Sequence, residues 1–192
     1  VRRLCKVPQI CPHFHLSLQS GCDETLKRMN RHYTTALYLE KCGILRQYFD
    51  RPALTTDVIV GFPGETEEEF AQTERFLETV HFSDMHIFKY SKRRGTKAAD
   101  MPNQIDPQIQ SVRSEKLIAL GERMKDDFLE ACKDQEQIVL IEEETEIDGT
   151  KYMTGHSKNY IRCAFEMVGL VPNMVIKGSI NSKLNEEFVF CK

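Results

Sequence analysis

Residues 54–70 read LTTDVIVGFPGETEEEF: a β-branched run, a Gly-Phe-Pro-Gly turn, then a file of glutamates opening a helix. A run of that kind, with little polar interruption, predicts a parallel strand covered on both faces. Thr66 and Glu69 stand three residues apart, as a capping box requires, and Phe70, Leu77 and Val80 share one helical face. Parallel neighbours need a crossover between them, so this single stretch commits the chain to right-handed βαβ units.

The flanking sequence agrees. HFHLSLQS (residues 13–20) is strand-like, with Phe14, Leu16 and Leu18 on one face. Two helical stretches follow, the second capped by Thr34 or Thr35 and burying Leu37, Cys42, Leu45 and Phe49. DMHIFKY (84–90) is a third strand. A polar loop from Ser91 to Asp106 leads to a helix with Ile109, Val112, Leu120, Met124 and Phe128 at helical spacing. After Cys132 the texture changes to five short strands separated by Asp148-Gly149, Lys158-Asn159 and Pro172-Asn173 turns, with no helix between them. Five close-set strands predict a small closed barrel of the OB-like, nucleic-acid-binding kind, or a structural β domain without a ligand. The expected fold class is α/β, with domains at 1–130 and 131–192.

A strand–Gly turn–helix can hold a phosphate, but here Glu65, Glu67, Glu68 and Glu69 already lie at the positive end of the helix dipole. A phosphate would meet like charge. An uncharged ring against Ile59, Gly61 and Phe62 remains compatible, with Gly61 and Gly64 letting a ligand approach the backbone; so does a well-capped turn with no ligand.

Composition excludes little. The 192 residues carry a net charge of −3, which argues against a protein basic all over. No apolar run approaches the roughly 20 residues of a membrane span. Seven cysteines, an odd number without tight spacing, fit reduced thiols in a cytoplasmic protein. The chain starts at Val1 and enters structure within a few residues, so its start reads as a cut.

Taken together, CPHFHLSLQSGCDETLKRMNR, TTDVIVGFPGETEEEF and HIFKYSKRRGT, in that order and followed by a small β domain, resemble the second half of a radical-SAM methylthiotransferase. The wording CPHFHLSLQSG resembles the tRNA threonylcarbamoyladenosine branch, the MtaB type. The resemblance implies the second half of a partial (βα)6 barrel followed by a TRAM domain. It implies S-adenosylmethionine across the strand ends, bound to a [4Fe–4S] cluster whose reduction yields a deoxyadenosyl radical, and a second, auxiliary [4Fe–4S] cluster. Gln19 and Ser20 then lie near the cofactor's ribose and methionine, and Ile59, Gly61 and Phe62 border adenine. Of the family's GxIxGxxE strand, Ile59 and Gly61 fit. Asp57 stands at the first glycine, Gly64 at the glutamate, and Glu65 comes one residue late. The cluster motif CxxxCxxC has no counterpart in this sequence, so this stretch alone is expected to bind no cluster and perform no radical chemistry.

For a partner the resemblance implies the tRNA anticodon arm. Charge is balanced up to Glu130, with 19 cationic and 19 acidic side chains, and the remainder carries 7 against 10. The expected contacts are therefore local: Lys92, Arg93 and Arg94 in the loop after the third strand, and Lys151, Lys158 and Arg162 beside the rings of Tyr152, His156 and Tyr160. Two functions compete: the C-terminal part of a tRNA methylthiotransferase, or an RNA-binding fragment without chemistry. The isopentenyladenosine and ribosomal-protein branches are further alternatives. With no preceding strands, the Phe14–Ser20 strand is expected to expose an apolar parallel edge and to self-associate through it.

Overall fold

The structure, a computed structural model, describes residues 1–133 and 135–192. Three parallel strands lie in the order β1 (His13–His15), β2 (Ala53–Val60), β3 (Asp84–Lys89). Helices α1 (Asp23–Arg28) and α2 (Thr35–Tyr48) make the first crossover and α3 (Glu67–Val80) the second. The long α4 (Pro107–Ala131) follows the loop after β3.

Helices cover one face of the sheet. Leu54, Val58 and Val60 of β2 are buried in one core with Leu18, Tyr38, Leu77, Leu117 and Leu120. The alternate residues Thr55, Asp57 and Ile59 are half-buried. This corrects the expectation of a strand covered on both faces, since the β-branched run hides a period of two. Phe14 meets Phe49 at a tilt with ring centroids 4.8 Å apart, Leu16 packs on the same core, and Leu18 is fully buried. The apolar face of the first strand is thus under helices; its unpaired side is a backbone edge only three residues long.

Two helix faces also differ from expectation. Thr34 caps α2, but Tyr38, not Leu37, turns inward, because its hydroxyl donates to the Leu16 carbonyl; Leu37 is exposed. On α4, Ile109 and Val112 face outward, and Arg113, Ser114 and Leu117 are buried in their place. Arg113 is drawn in by a carboxylate partner described below. Leu120 and Met124 sit in the sheet core as expected.

The second unit is a closed barrel of β4 (Glu136–Ile147), β5 (Thr150–Ser157), β6 (Arg162–Phe165), β7 (Val175–Lys183) and β8 (Val189–Cys191), closing in the order β4-β5-β6-β8-β7. Closure leaves no open edge. The β4–β5 hairpin turns through Asp148 and Gly149, both at positive φ, as a two-residue primed turn demands. At Gly155 a Cβ would run into the Leu140 backbone, beside the bulge between Ile141 and Glu143. Val139, Ile141, Met153 and Cys163 fill the barrel, and Phe128 and Leu129 at the end of α4 pack against this core. One helix therefore serves both cores. Among the described residues no helix is long and apolar enough to cross a membrane.

Candidate functional site

The turn after β2 is an anion site filled by its own side chains. The Gly61 N–H donates to the Glu65 carboxylate at 2.7 Å, and the Thr66 N–H donates to Glu69 at 2.9 Å, completing the capping box. Glu65 is 3% exposed and paired with buried Arg113 at 2.7 Å. Burial pushes the Glu65 carboxyl up, while the Gly61 N–H and Arg113 pull the other way. Arg28 grips Glu69 with two bonds of 2.8 and 2.6 Å and holds it below the usual carboxylate range. With these donors occupied, a phosphate would have to displace a buried carboxylate. What stays open for this turn is an uncharged ligand beside it or a capped turn with no ligand.

Such a ligand has a place. A cavity of about 520 Å³ opens at the C-terminal ends of the strands, bordered by Gln19, Ile59, Phe62, Phe88 and Tyr90, with Arg31, Lys89 and Arg93 also lining it. Ile59, Phe62 and Phe88 give it an apolar patch, and Gln19, Asp57, Tyr90 and the cations surround that patch with polar groups, at the strand ends where α/β sheets bind small molecules. Gln19 holds a left-handed backbone (φ 70°) and is nearly buried, a strained geometry for a non-glycine residue. The Tyr90 hydroxyl oxygen is buried and has no hydrogen-bond partner among the described residues, and its ring meets Phe62 edge-on at 5.4 Å.

Of the five residues expected at a cofactor, Gln19, Ile59 and Phe62 line this cavity. Ser20 does not. Its hydroxyl is buried against Thr73 at 3.2 Å and bonded by the Cys22 N–H. Gly61 is also outside: the close approach its missing side chain permits is made by Gln110, whose amide donates to the Gly61 carbonyl. Gly64 is likewise approached by Arg28.

Below the cavity, the uncovered face of the sheet carries a polar row that the sequence reading passed over. Asp57 accepts from His15 Nε2 and His86 Nδ1, each at 3.3 Å, one imidazole per carboxylate oxygen. His15 Nδ1 lies 3.1 Å from the Thr55 hydroxyl, and His13 Nε2 3.3 Å from the same oxygen. The signal was available: HFHLSLQS alternates its apolar residues with His13, His15, Ser17 and Gln19.

The expected RNA contacts divide in two. Lys92, Arg93 and Arg94 are exposed and form no ion pair among the described residues. The cations of the barrel are engaged. Lys151 pairs with Glu144 and Arg162 with Glu187, both at 2.7 Å; Arg162 also lies over the Phe188 ring, and Lys158 donates to the Pro8 carbonyl at 3.2 Å. Tyr160 stacks on His13 and on His156 at 4.5 Å each, joining barrel to sheet. Burial first, then the nearby His15, lower the basicity of His13.

Comparison with known proteins gives this geometry a family. The model of the Radical SAM superfamily matches residues 1–77. The threonylcarbamoyladenosine tRNA methylthiotransferase MtaB of Bacillus subtilis is 37% identical over 174 residues, which is 88% of this chain and 38% of that protein. The tRNA-2-methylthio-N(6)-dimethylallyladenosine synthase of Corynebacterium efficiens is 36% identical over 92% of this chain and 34% of its own length. Its counterpart in Mycobacterium marinum is 46% identical over 63% of this chain and 23% of its own length. The chain belongs to the radical-SAM methylthiotransferase family. It spans little more than a third of the length of the first two curated relatives it matches.

Membership implies S-adenosylmethionine and iron–sulfur clusters in the complete enzyme. For the adenine of the cofactor, the cavity residues of this methylthiotransferase chain fit: an apolar slot between Ile59, Phe62 and Phe88, the Gln19 amide, and a buried Tyr90 hydroxyl in want of a partner. For a cluster they do not. The sequence holds no CxxxCxxC, and no group of three or more His, Cys, Asp or Glu among the described residues is arranged to hold a metal ion.

Proposed function

We propose that this chain is part of a cytoplasmic tRNA methylthiotransferase of the threonylcarbamoyladenosine branch, replacing a hydrogen on the adenine beside the anticodon with a methylthio group. On this reading the parallel sheet is the second half of a (βα)6 barrel and the closed barrel is a TRAM-type, OB-like domain. The cluster ligands lie outside this stretch, and both [4Fe–4S] clusters belong to the complete enzyme.

One observation carries the proposal: a cavity with an apolar patch at the carboxyl ends of parallel strands, beside a turn whose own glutamates exclude phosphate, with Arg31 and Arg93 at the rim, neither of them in an ion pair among the described residues. S-adenosylmethionine, when bound with a reduced cluster, supplies the radical that removes a hydrogen atom from the substrate. The residues here do the holding. On this reading Ile59, Phe62 and Phe88 present an apolar surface to the adenine ring and keep water from it, Gln19 and Tyr90 offer hydrogen bonds, and Arg31 and Arg93, which line the same cavity, answer the charge of an incoming phosphate backbone. The loop cations Lys92, Arg93 and Arg94 supply the electrostatic part of tRNA binding.

Nucleoside analysis of tRNA from cells with and without the gene tests this. The 2-methylthio derivative of threonylcarbamoyladenosine should disappear on deletion and return with the intact gene. Loss of the dimethylallyladenosine derivative in its place would move the chain to the other branch, and an unchanged nucleoside profile would refute the proposal.

A further inference from the structure

We propose that Gln110 of α4 is a positioning residue for cofactor binding: its amide holds the Gly61–Phe62 peptide and so keeps Phe62 where the strand-end cavity needs it. The inference rests on the reading above that this cavity receives the adenine of S-adenosylmethionine.

The turn after β2 does not fix itself. Gly61 and Gly64 both hold left-handed backbone, at φ 71° and 78°, and glycine populates either sign of φ about as readily. The conformation therefore depends on the bonds that the turn receives. Most of them are short. The Gly61 N–H donates to the buried Glu65 carboxylate at 2.7 Å, the Glu65 N–H to the Phe62 carbonyl at 2.9 Å, and the Gly64 N–H to the Asn103 carbonyl at 2.9 Å. The Gly61 carbonyl is held differently. Its one partner among the described residues is the Gln110 side-chain amide, at 3.3 Å, which also donates to the Ile105 carbonyl just ahead of α4 at 3.4 Å. The methylenes of Gln110 fill the space over Gly61, since a Cβ there would stand 2.4 Å from Gln110 Cγ.

Two residues of α4, one turn apart, thus hold the two sides of Gly61. Arg113 pairs with Glu65, which takes the N–H, and Gln110 takes the C=O. Their weight in the fold differs. Arg113 is buried in an ion pair, whereas Gln110 is half-buried and bonded at longer distances, so its amide can be removed at little cost to folding. What its removal changes is Phe62. Rotation of the Gly61–Phe62 peptide alters φ at Phe62 and with it the direction of the ring, which lines the cavity and meets Tyr90 edge-on at 5.4 Å. A ligand that binds one form of the turn loses affinity in proportion to that form's share of the population. Gln110 is not among the described residues that line the cavity, so it acts on a ligand there through Phe62.

The test compares the complete, cluster-loaded protein with its Gln110→Met and Gln110→Ala variants. Methionine keeps the methylenes over Gly61 and drops the donor; alanine drops both. Calorimetric titration with S-adenosylhomocysteine should show an affinity loss of about fivefold in Gln110→Met, as a fall of the competent turn to roughly a fifth of the population requires. Its melting temperature should stay nearly unchanged, and Gln110→Ala should lose at least as much affinity. In turnover, the KM for S-adenosylmethionine should rise by a similar factor, while kcat at saturating cofactor and the KM for tRNA hold. That split separates positioning from general damage to the fold. Equal affinity for S-adenosylhomocysteine in all three proteins overturns the proposal. So does a loss confined to Gln110→Ala, which assigns the effect to packing, or a loss that comes with a lower melting temperature and a changed KM for tRNA. A wild type that binds no S-adenosylhomocysteine refutes the cofactor reading itself.

Discussion

The sheet and the small barrel contain similar chemistry and use it in opposite ways. On the barrel, Lys151, Arg162 and His156 each face a carboxylate, Lys158 reaches a backbone carbonyl, and Tyr160 is stacked against two histidines. Those groups hold the barrel together and to the sheet. On the sheet side, Lys92, Arg93, Arg94, the Tyr90 hydroxyl and the outer nitrogen of His86 have no such partners among the described residues. A residue type in a sequence tells what bonds a side chain can make. Only the fold tells which of them are already made.

Breaking the buried Glu65–Arg113 pair should have the largest effect. Arg113→Ala leaves Glu65 charged and unpaired beside Gly61, which should destabilise the protein by about 3–5 kcal/mol in urea or thermal melts. A loss well under 1 kcal/mol would mean that the turn is held by something else. Next comes the contact between the two units. Tyr160→Ala removes both imidazole stacks and should cost about 1–3 kcal/mol, while leaving the circular-dichroism signal of each unit in place.

The cations sharpen the contrast directly. In the complete protein, Arg93→Ala with Arg94→Ala should weaken tRNA binding about tenfold at moderate salt and lower the salt slope by roughly 1.5, as two lost phosphate contacts require. Lys151→Ala with Lys158→Ala should change the slope little, because those ammonium groups already have partners. A larger slope change in the barrel pair would reverse the comparison.

The smallest effect is a pH effect. The folded pKa of Glu69 is depressed, first by its bonds to Arg28, so its contribution is complete above the unfolded value and is lost as pH falls through the folded one. Melting temperatures measured from pH 6 down to pH 3 should therefore fall less steeply for Glu69→Gln, with a stability difference at neutral pH of about 1 kcal/mol. Parallel acid slopes in the two proteins would remove Glu69 from the account.

Much of the fold was legible because it rests on period and punctuation. The capping box at Thr66 and Glu69, the strand from residue 53 to 60, and the five strands after Cys132 follow from residue spacing alone. Faces were harder. Arg113 on α4 and Tyr38 on α2 turn inward for polar partners, Glu65 and the Leu16 carbonyl, that a hydrophobicity pattern does not register. Of the residues that the family resemblance pointed to, Gln19, Ile59 and Phe62 line the strand-end cavity. Ser20, next to Gln19, bonds Thr73, and Gly61, between Ile59 and Phe62 in sequence, is met by Gln110. The histidine row lies on the polar half of an alternating strand, which a search for an apolar face does not register.

The central claim, that the strand-end cavity receives the adenine of S-adenosylmethionine, is tested most directly by equilibrium binding of S-adenosylhomocysteine to the complete protein and to its Phe88→Ala variant. Phe88 lines the cavity yet is 51% exposed, so its removal should leave the melting temperature nearly unchanged. The account predicts an affinity loss of about tenfold, the scale of one lost aromatic stacking partner. Equal affinity in the two proteins would contradict it.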